Sequence, residues 1–302
     1  MHIPKHVVLK EVGPRDGLQN EKATILTADK VALIDLLSAS GLSYIEVSSF
    51  VHPKWIPQLA DAAEVLAAIK RQQDITYAAL IPNKRGLERA LTVGIDEASV
   101  FMSASESHNK NNINKSIRET YPVLREVVEE AKREGLRVRG YISTVIGCPY
   151  EGTIAPQKVR EVADALFTMG VDEISLGDTI GVGVPTQVEA LLEHLLPHYA
   201  ADTFAMHFHD TRGTAMTNVV KSMEMGITTF DSAIGGLGGC PYAKGASGNV
   251  ATEDLLYLFD EMNIHTGVQM DRVLAAASFI EQKLNKPLNS KQMEIKRHQE
   301  VE

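Results

Sequence analysis

The chain has 302 residues, with 30 Lys and Arg against 39 Asp and Glu, for a formal net charge of −9. This acidic balance excludes a general nucleic-acid binder, because neutralising phosphates takes a basic surface. With 44% hydrophobic and 23% charged residues, the composition is that of a globular chain able to bury a large core, and disorder is not expected. Two cysteines, Cys148 and Cys240, are too few for a disulfide framework. The start Met1-His2-Ile3-Pro4-Lys5 has neither an apolar h-region nor Arg- and Ser-rich transit character. A reducing cytoplasm is the expected compartment. The longest apolar runs, such as Tyr77 to Ile81 and Val273 to Ala277, fall well short of the roughly 20 residues that span a bilayer, so no membrane partner is expected.

Along the chain, short apolar or alternating segments are followed by stretches of helical periodicity. Strands are predicted at Val7 to Glu11, Tyr44 to Ser48, Ile75 to Ile81, Glu97 to Met102, Leu136 to Ser143, Glu173 to Leu176, Thr203 to Phe208 and Thr228 to Ser232. Amphipathic helices are predicted at Thr27 to Ser40, Lys84 to Val93, Ile117 to Glu134, Pro156 to Met169 and Thr214 to Met225. Each is followed by a glycine (Gly41, Gly94, Gly135, Gly170, Gly226) suited to a left-handed cap. Alternating elements imply an α/β fold with a parallel sheet and right-handed crossovers. Eight units favour closure into a (β/α)8 TIM barrel, which uses about 250 residues as one domain, over an open doubly wound sheet. No G-x-G-x-x-G follows the first strand: Gly13-Pro14-Arg15-Asp16-Gly17 lacks the glycine spacing of a dinucleotide cradle. We expect the catalytic barrel over residues 1–264. Residues 265–302 are expected to form a C-terminal helical extension, Met270 to Lys283, and a polar tail from Asn285 with a partly mobile end.

In such a barrel, catalytic residues lie at the carboxyl ends of the strands and in the loops after them. The first strand leads into Arg15 and Asp16. Taken alone, this pair reads equally as an ion pair pinning a tight turn or as a functional pair; its place at the mouth favours function. On the seventh strand His207 and His209 project to one face, roughly 6.5 to 7 Å apart along it, close enough to converge on one ion. An isolated His-x-His is more often a hydrogen-bonded core pair. Here barrel closure would bring Asp16 and Asn249 to the same mouth. Two imidazoles, a carboxylate and an amide oxygen suit Mg²⁺, Mn²⁺ or Co²⁺ with positions left for substrate and water. A closed zinc site would draw on Cys.

After the eighth strand, Gly235 to Asn249 surrounds Cys240 with glycines, giving backbone that can move and approach a ligand closely, as a lid does. Cys148 repeats the string Gly-Cys-Pro-Tyr without that glycine cluster and is expected to pack or to support the site from behind. Asp178 ends strand six and Glu46 lies near the end of strand two. Either positions water, holds a His tautomer or serves as an acid-base partner, or simply pairs with Arg15.

Four segments, Glu11 to Glu21, Ser175 to Gly183, Phe208 to Gly213 and Gly236 to Asn249, make the chain similar to the 3-hydroxy-3-methylglutaryl-CoA lyases from Lys10 to about Glu261. The His-x-His and Arg-Asp elements are shared with isopropylmalate and homocitrate synthases; the cysteine loop separates the groups. The resemblance implies a divalent cation, Mg²⁺ or Mn²⁺, on Asp16, His207, His209 and Asn249. It further implies that Arg15 stabilises charge on the reacting carbonyl, that Cys240 is the acid-base catalyst, that Glu46 and Asp178 lie in the active site, and that Gln19 joins Arg15 in binding substrate. The implied substrate is an acyl-CoA, the implied reaction a metal-assisted retro-Claisen cleavage of leucine catabolism and ketone-body formation. The expected assembly is a homo-oligomer, in its simplest form a dimer. The rival readings are a Claisen-condensing synthase and a metal-stabilised binding protein without catalysis.

Overall fold

The computed structural model describes residues 3–239 and 248–299. Eight parallel strands close into a barrel: Val8–Glu11, Tyr44–Ser49, Thr76–Leu80, Glu97–Ser103, Arg137–Ser143, Glu173–Asp178, Phe204–Phe208 and Thr229–Ser232. Each pairs with its neighbour in sequence, and the eighth returns to the first with Val8 opposite Thr229 and Glu11 opposite Ser232. The strands are buried almost throughout, as sheets covered by helices must be. All eight strands expected from the periodicity are present. So are the five expected helices, and their terminal glycines all carry positive φ. Gly41 shows why one of them is glycine for a second reason: a Cβ there would lie 2.3 Å from the carbonyl of Gly267, where the C-terminal segment crosses.

Four further helices cover the barrel: Ala62–Ala68, Glu106–Ile113, Pro185–Leu195 and Thr252–Glu261. The first two are one to two turns long, too short for a periodicity to declare itself. A two-stranded hairpin, Gly147–Cys148 with Gly152–Thr153, follows strand five. Among the described residues, no helix is long and apolar enough to cross a membrane.

The C-terminal segment is firmly packed. Helix Met270–Leu284 buries Val273, Ala276, Ala277 and Ile280 and lies against Thr27–Ser38. Within the polar tail expected from Asn285, a helix over Lys291–Gln299 is docked, with Met293 only 1% exposed. Its polar sequence hid the anchor: Asp254 accepts the amides of Lys291 and Gln292, and Ser290 donates to Glu253 at 2.6 Å.

Glu253 and Glu11 brace the turn after strand eight from two sides. Glu253 accepts the amide of Gly235, and Glu11 those of Ile234 and Gly13 together with the hydroxyl of Thr252. Burial pushes both carboxyls up to about 7 from 4.5, in spite of these hydrogen bonds. The native state therefore holds these protons more tightly than the unfolded chain. The stabilisation is complete below about 4.5 and lost as pH rises through about 7. Thermal unfolding is expected to show a Tm that falls between pH 5.5 and 8, and Glu253→Gln, which has no proton to lose, is expected to flatten that slope. An unchanged slope in the variant would remove Glu253 from the account.

Candidate active site

After strand one the chain makes a single wide helical turn, Gly13–Gly17, in which the amides of Asp16 and Gly17 both reach the carbonyl of Val12. This turn aims Arg15 and Asp16 into the barrel mouth. The Arg15 Nε donates to Glu46 at 2.5 Å and Nη1 to Asp16 at 2.6 Å, while the guanidinium lies 5.2 Å from the centre of the Tyr141 ring. Burial works against the Arg15 charge, but Glu46 and Asp16 outweigh it and raise its pKa. For Asp16, burial is likewise outweighed, by Arg15 and the two histidines, and the carboxyl falls to about 2. Asp16 is therefore an anion at any working pH.

Strand seven delivers His207, and His209 follows just past its end, bridged to Asn249. Their rings are 5.4 Å apart, and ligand atoms of Asp16, His207 and His209 all lie within 4.8 Å of one another. The Nδ1 of His207 sits 3.1 Å from Asp231. The Nδ1 of His209 is buried and has no hydrogen-bond partner among the described residues. Burial, followed by the neighbouring His207, lowers the His209 pKa to about 4, so the ring is neutral near pH 7. A neutral imidazole with an unspent buried nitrogen beside a fixed carboxylate is a donor set that fits a divalent cation. Asn249 borders this set, its Nδ2 donating to Asp16 at 2.8 Å and to the Leu237 carbonyl at 3.0 Å.

The other expected residues divide. Glu46 is fully buried; one carboxylate oxygen holds Arg15 and the other has no hydrogen-bond partner among the described residues. Asp178 directs its oxygens at the amides of Val182 and Gly183, so it shapes the loop after strand six. Burial raises the pKa of both. Gln19 is half-buried just beyond the wide turn. Cys240 lies outside the described residues. Cys148 is 4% exposed, with its sulfur 3.0 Å from the Ser105 hydroxyl, in keeping with a packing residue.

Sequence reasoning missed the polar floor beneath the site: Lys10, Arg139, Tyr141, Glu173, Ser175 and Asp231, joined by hydrogen bonds inside the barrel. A signal existed. Arg139 and Asp231 are charged residues within strands that are otherwise buried, and a charge there needs a partner.

Fold and cluster define the class: a (β/α)8 barrel with a His-x-His and carboxylate site, suited to a divalent cation, at the carboxyl end of its strands. The HMGL-like family matches residues 6–280, and the chain belongs to that family. It is 55% identical over 295 residues to the hydroxymethylglutaryl-CoA lyase YngG of Bacillus subtilis, covering 98% of this chain and 99% of the relative. A crystal structure of the Bacillus HMG-CoA lyase superposes with a TM-score of 0.97 at 55% identity, covering 98% of this chain and all of that one. An Acinetobacter HMG-CoA lyase solved with coenzyme A and 3-methylmalate superposes with a TM-score of 0.91 at 38% identity, covering 95% and 94%.

A cation on this cluster sets a direct expectation. His209→Ala removes one nitrogen from the donor set, and the remaining donors cannot restore the geometry. Equilibrium dialysis with Mn²⁺ is expected to show a clear loss of bound metal; full retention would reject His209 as a ligand.

Proposed function

We propose that the chain is a carbon–carbon lyase that cleaves 3-hydroxy-3-methylglutaryl-CoA into acetyl-CoA and acetoacetate. The observation that carries this reading is the convergence of Asp16, His207 and His209 beside a locked Arg15 at the barrel mouth. The names of its relatives and the coenzyme A bound to the Acinetobacter protein support the acyl-CoA substrate. A condensing synthase gains no such support. The cytoplasmic location expected from cysteine usage belongs to the same reading.

In the reaction a base takes the proton of the tertiary hydroxyl, the alkoxide collapses to a ketone as the bond between C2 and C3 breaks, and the electron pair of that bond passes into the thioester as an enolate. Protonation of that carbon gives acetyl-CoA, and the ketone fragment leaves as acetoacetate. A divalent cation, Mg²⁺ or Mn²⁺, held by Asp16, His207, His209 and Asn249 would supply the Lewis acidity that lowers the hydroxyl's pKa.

Arg15 has a charge that never titrates and an orientation set by Glu46 and Asp16. Among the described residues its Nη2 makes no protein hydrogen bond, which leaves that donor for the enolate oxygen. Because the guanidinium is already fixed and largely out of water, stabilising the developing charge costs little reorganisation. Gln19, on the same loop, is assigned to substrate binding. Glu46 acts by holding Arg15, and Asp178 by holding the loop after strand six.

Cys240 is assigned as the group that exchanges the proton with substrate carbon. Gly239, which precedes it, has its carbonyl bonded to Asn20 at 3.0 Å. The chain leading into Cys240 is thereby tied to the segment that carries Arg15 and Asp16.

The deciding experiment is metal-dependent release of acetoacetate from 3-hydroxy-3-methylglutaryl-CoA. Folded, metal-loaded protein that fails to release it overturns the reading. Arg15→Gln is expected to lower kcat by roughly 100-fold or more with a smaller change in KM; a pure KM effect would make Arg15 a uniform binding residue. Cys240→Ser replaces a thiol of pKa near 8.5 by a much weaker acid, so turnover is expected to fall steeply while metal stays bound. Cys148→Ser is expected to cost little catalysis. Equal losses from the two cysteine variants would assign the Gly-Cys-Pro-Tyr string a structural role.

A further inference from the structure

The two histidines of the cluster are supported in different ways. Among the described residues the buried Nδ1 of His209 has no hydrogen-bond partner, whereas the Nδ1 of His207 faces the carboxylate of Asp231 at 3.1 Å. Asp231 is 2% exposed and cannot turn away. One of its oxygens accepts Arg139 Nη2 at 2.6 Å, and the oxygen facing His207 also accepts the Ser175 hydroxyl at 2.8 Å and Arg139 Nη1 at 3.2 Å. Arg139 is itself fully buried and fixed from behind: Nε donates to Glu173 at 2.6 Å, and Nη1 to the Tyr141 hydroxyl at 2.8 Å. Glu173 is in turn held by Lys10 at 2.7 Å. The chain of contacts runs Lys10, Glu173, Arg139, Asp231, His207, with each residue on a barrel strand.

A carboxylate that is hydrogen-bonded to a guanidinium has only lone pairs to offer. For the contact with His207 to be a hydrogen bond, Nδ1 must carry the ring proton, which leaves the lone pair on Nε2. We propose that Asp231, oriented by Arg139, is a positioning residue: it fixes the tautomer and ring plane of His207 and so presents Nε2 to the divalent cation. A second contact of this kind both orients a ligating imidazole and raises its basicity. His209 has no counterpart among the described residues. Its ring is the adaptable ligand and His207 the preset one. The inference rests on the cation site proposed above and goes beyond it by assigning the residue that sets the geometry of one ligand.

The test uses the full chain loaded with Mg²⁺ or titrated with Mn²⁺. In the unaltered protein, ¹⁵N-histidine NMR with Mg²⁺ is expected to show His207 protonated at Nδ1 and not at Nε2. Protonation at Nε2 overturns the proposal without any variant being made. Asp231→Asn keeps an acceptor and removes the charge, and is expected to weaken Mn²⁺ binding about 10- to 100-fold, read by electron paramagnetic resonance. Glu173→Gln disturbs the same buried chain two links away and does not touch Asp231. It is expected to lower Tm yet keep Mn²⁺ affinity close to that of the unaltered chain. Unchanged affinity in Asp231→Asn, or an equal loss in Glu173→Gln, reduces Asp231 to a structural residue and overturns the assignment. If the unaltered chain binds no Mn²⁺ at all, the cation site falls and this inference falls with it, whereas failure confined to Asp231→Asn leaves the cation site standing.

Discussion

The seam where the eighth strand pairs with the first is the constraint on which the mouth depends. Asp16 and His207 lie 191 positions apart in the sequence and share no local structure. They meet because Val8 pairs with Thr229 while Asp231 pairs with His207, a register that sets the first, eighth and seventh strands side by side. A one-residue slip along either seam would turn the inward side chains outward. Inside the barrel the buried ion pairs oppose such a slip. Removing one partner from a buried pair costs roughly 3–5 kcal/mol, against about 0–1 kcal/mol for an exposed one. The Arg139 pairs with Glu173 and Asp231 therefore weigh far more on register than surface pairs such as Lys291 with Glu294.

Burial alone does not decide the state of the interior carboxyls. Glu11 and Glu253 are fully buried and Asp16 is mostly so, yet the first two are pushed up to about 7 and the third is held at about 2. The difference lies in their partners. Glu11 and Glu253 face amides and hydroxyls, neutral donors that only partly offset desolvation, and they hold turns. Asp16 faces a guanidinium, which more than offsets it. The same barrel thus keeps protonable carboxyls as braces below the mouth and a permanent anion where a cation would be held.

The barrel was legible because its signals are periodic and local: eight apolar runs, and glycines such as Gly170 at a left-handed helix end. Short helices such as Ala62–Ala68 carry too few residues to show a period. The tail helix carries little apolar surface, and its docking depends on Glu253 and Asp254, which no local pattern links to residues 290–292. In the site, Arg15, Asp16, His207 and His209 stood out because they sit at strand ends, where the fold places chemistry. Asp231 and Arg139 lie inside strands and look like isolated exceptions to an apolar pattern until closure pairs them. A strand-end carboxylate such as Asp178 has the same sequence signature whether it serves as an acid or base, pairs with Arg15, or accepts backbone amides, as it does from Val182 and Gly183.

The glycine-rich stretch after strand eight reads in sequence as freedom to move, and its described parts show a different reason for glycine. A Cβ on Gly248 would lie 2.3 Å from the Gly236 carbonyl, and one on Gly238 would lie 2.6 Å from the Asn249 amide nitrogen. These glycines permit close packing of the loop's two flanks on each other. Leu237 accepts both the backbone and side-chain amides of Asn249, while Val250 and Asp210 stitch the returning strand to strand seven through Phe208 and Gly248. Glu11 and Glu253 hold the outgoing flank at Ile234 and Gly235. Asn249 is therefore set against Asp16 by a braced base. The polar atoms at the base of this loop thus keep a fixed geometry, which is what holding a cation there would require.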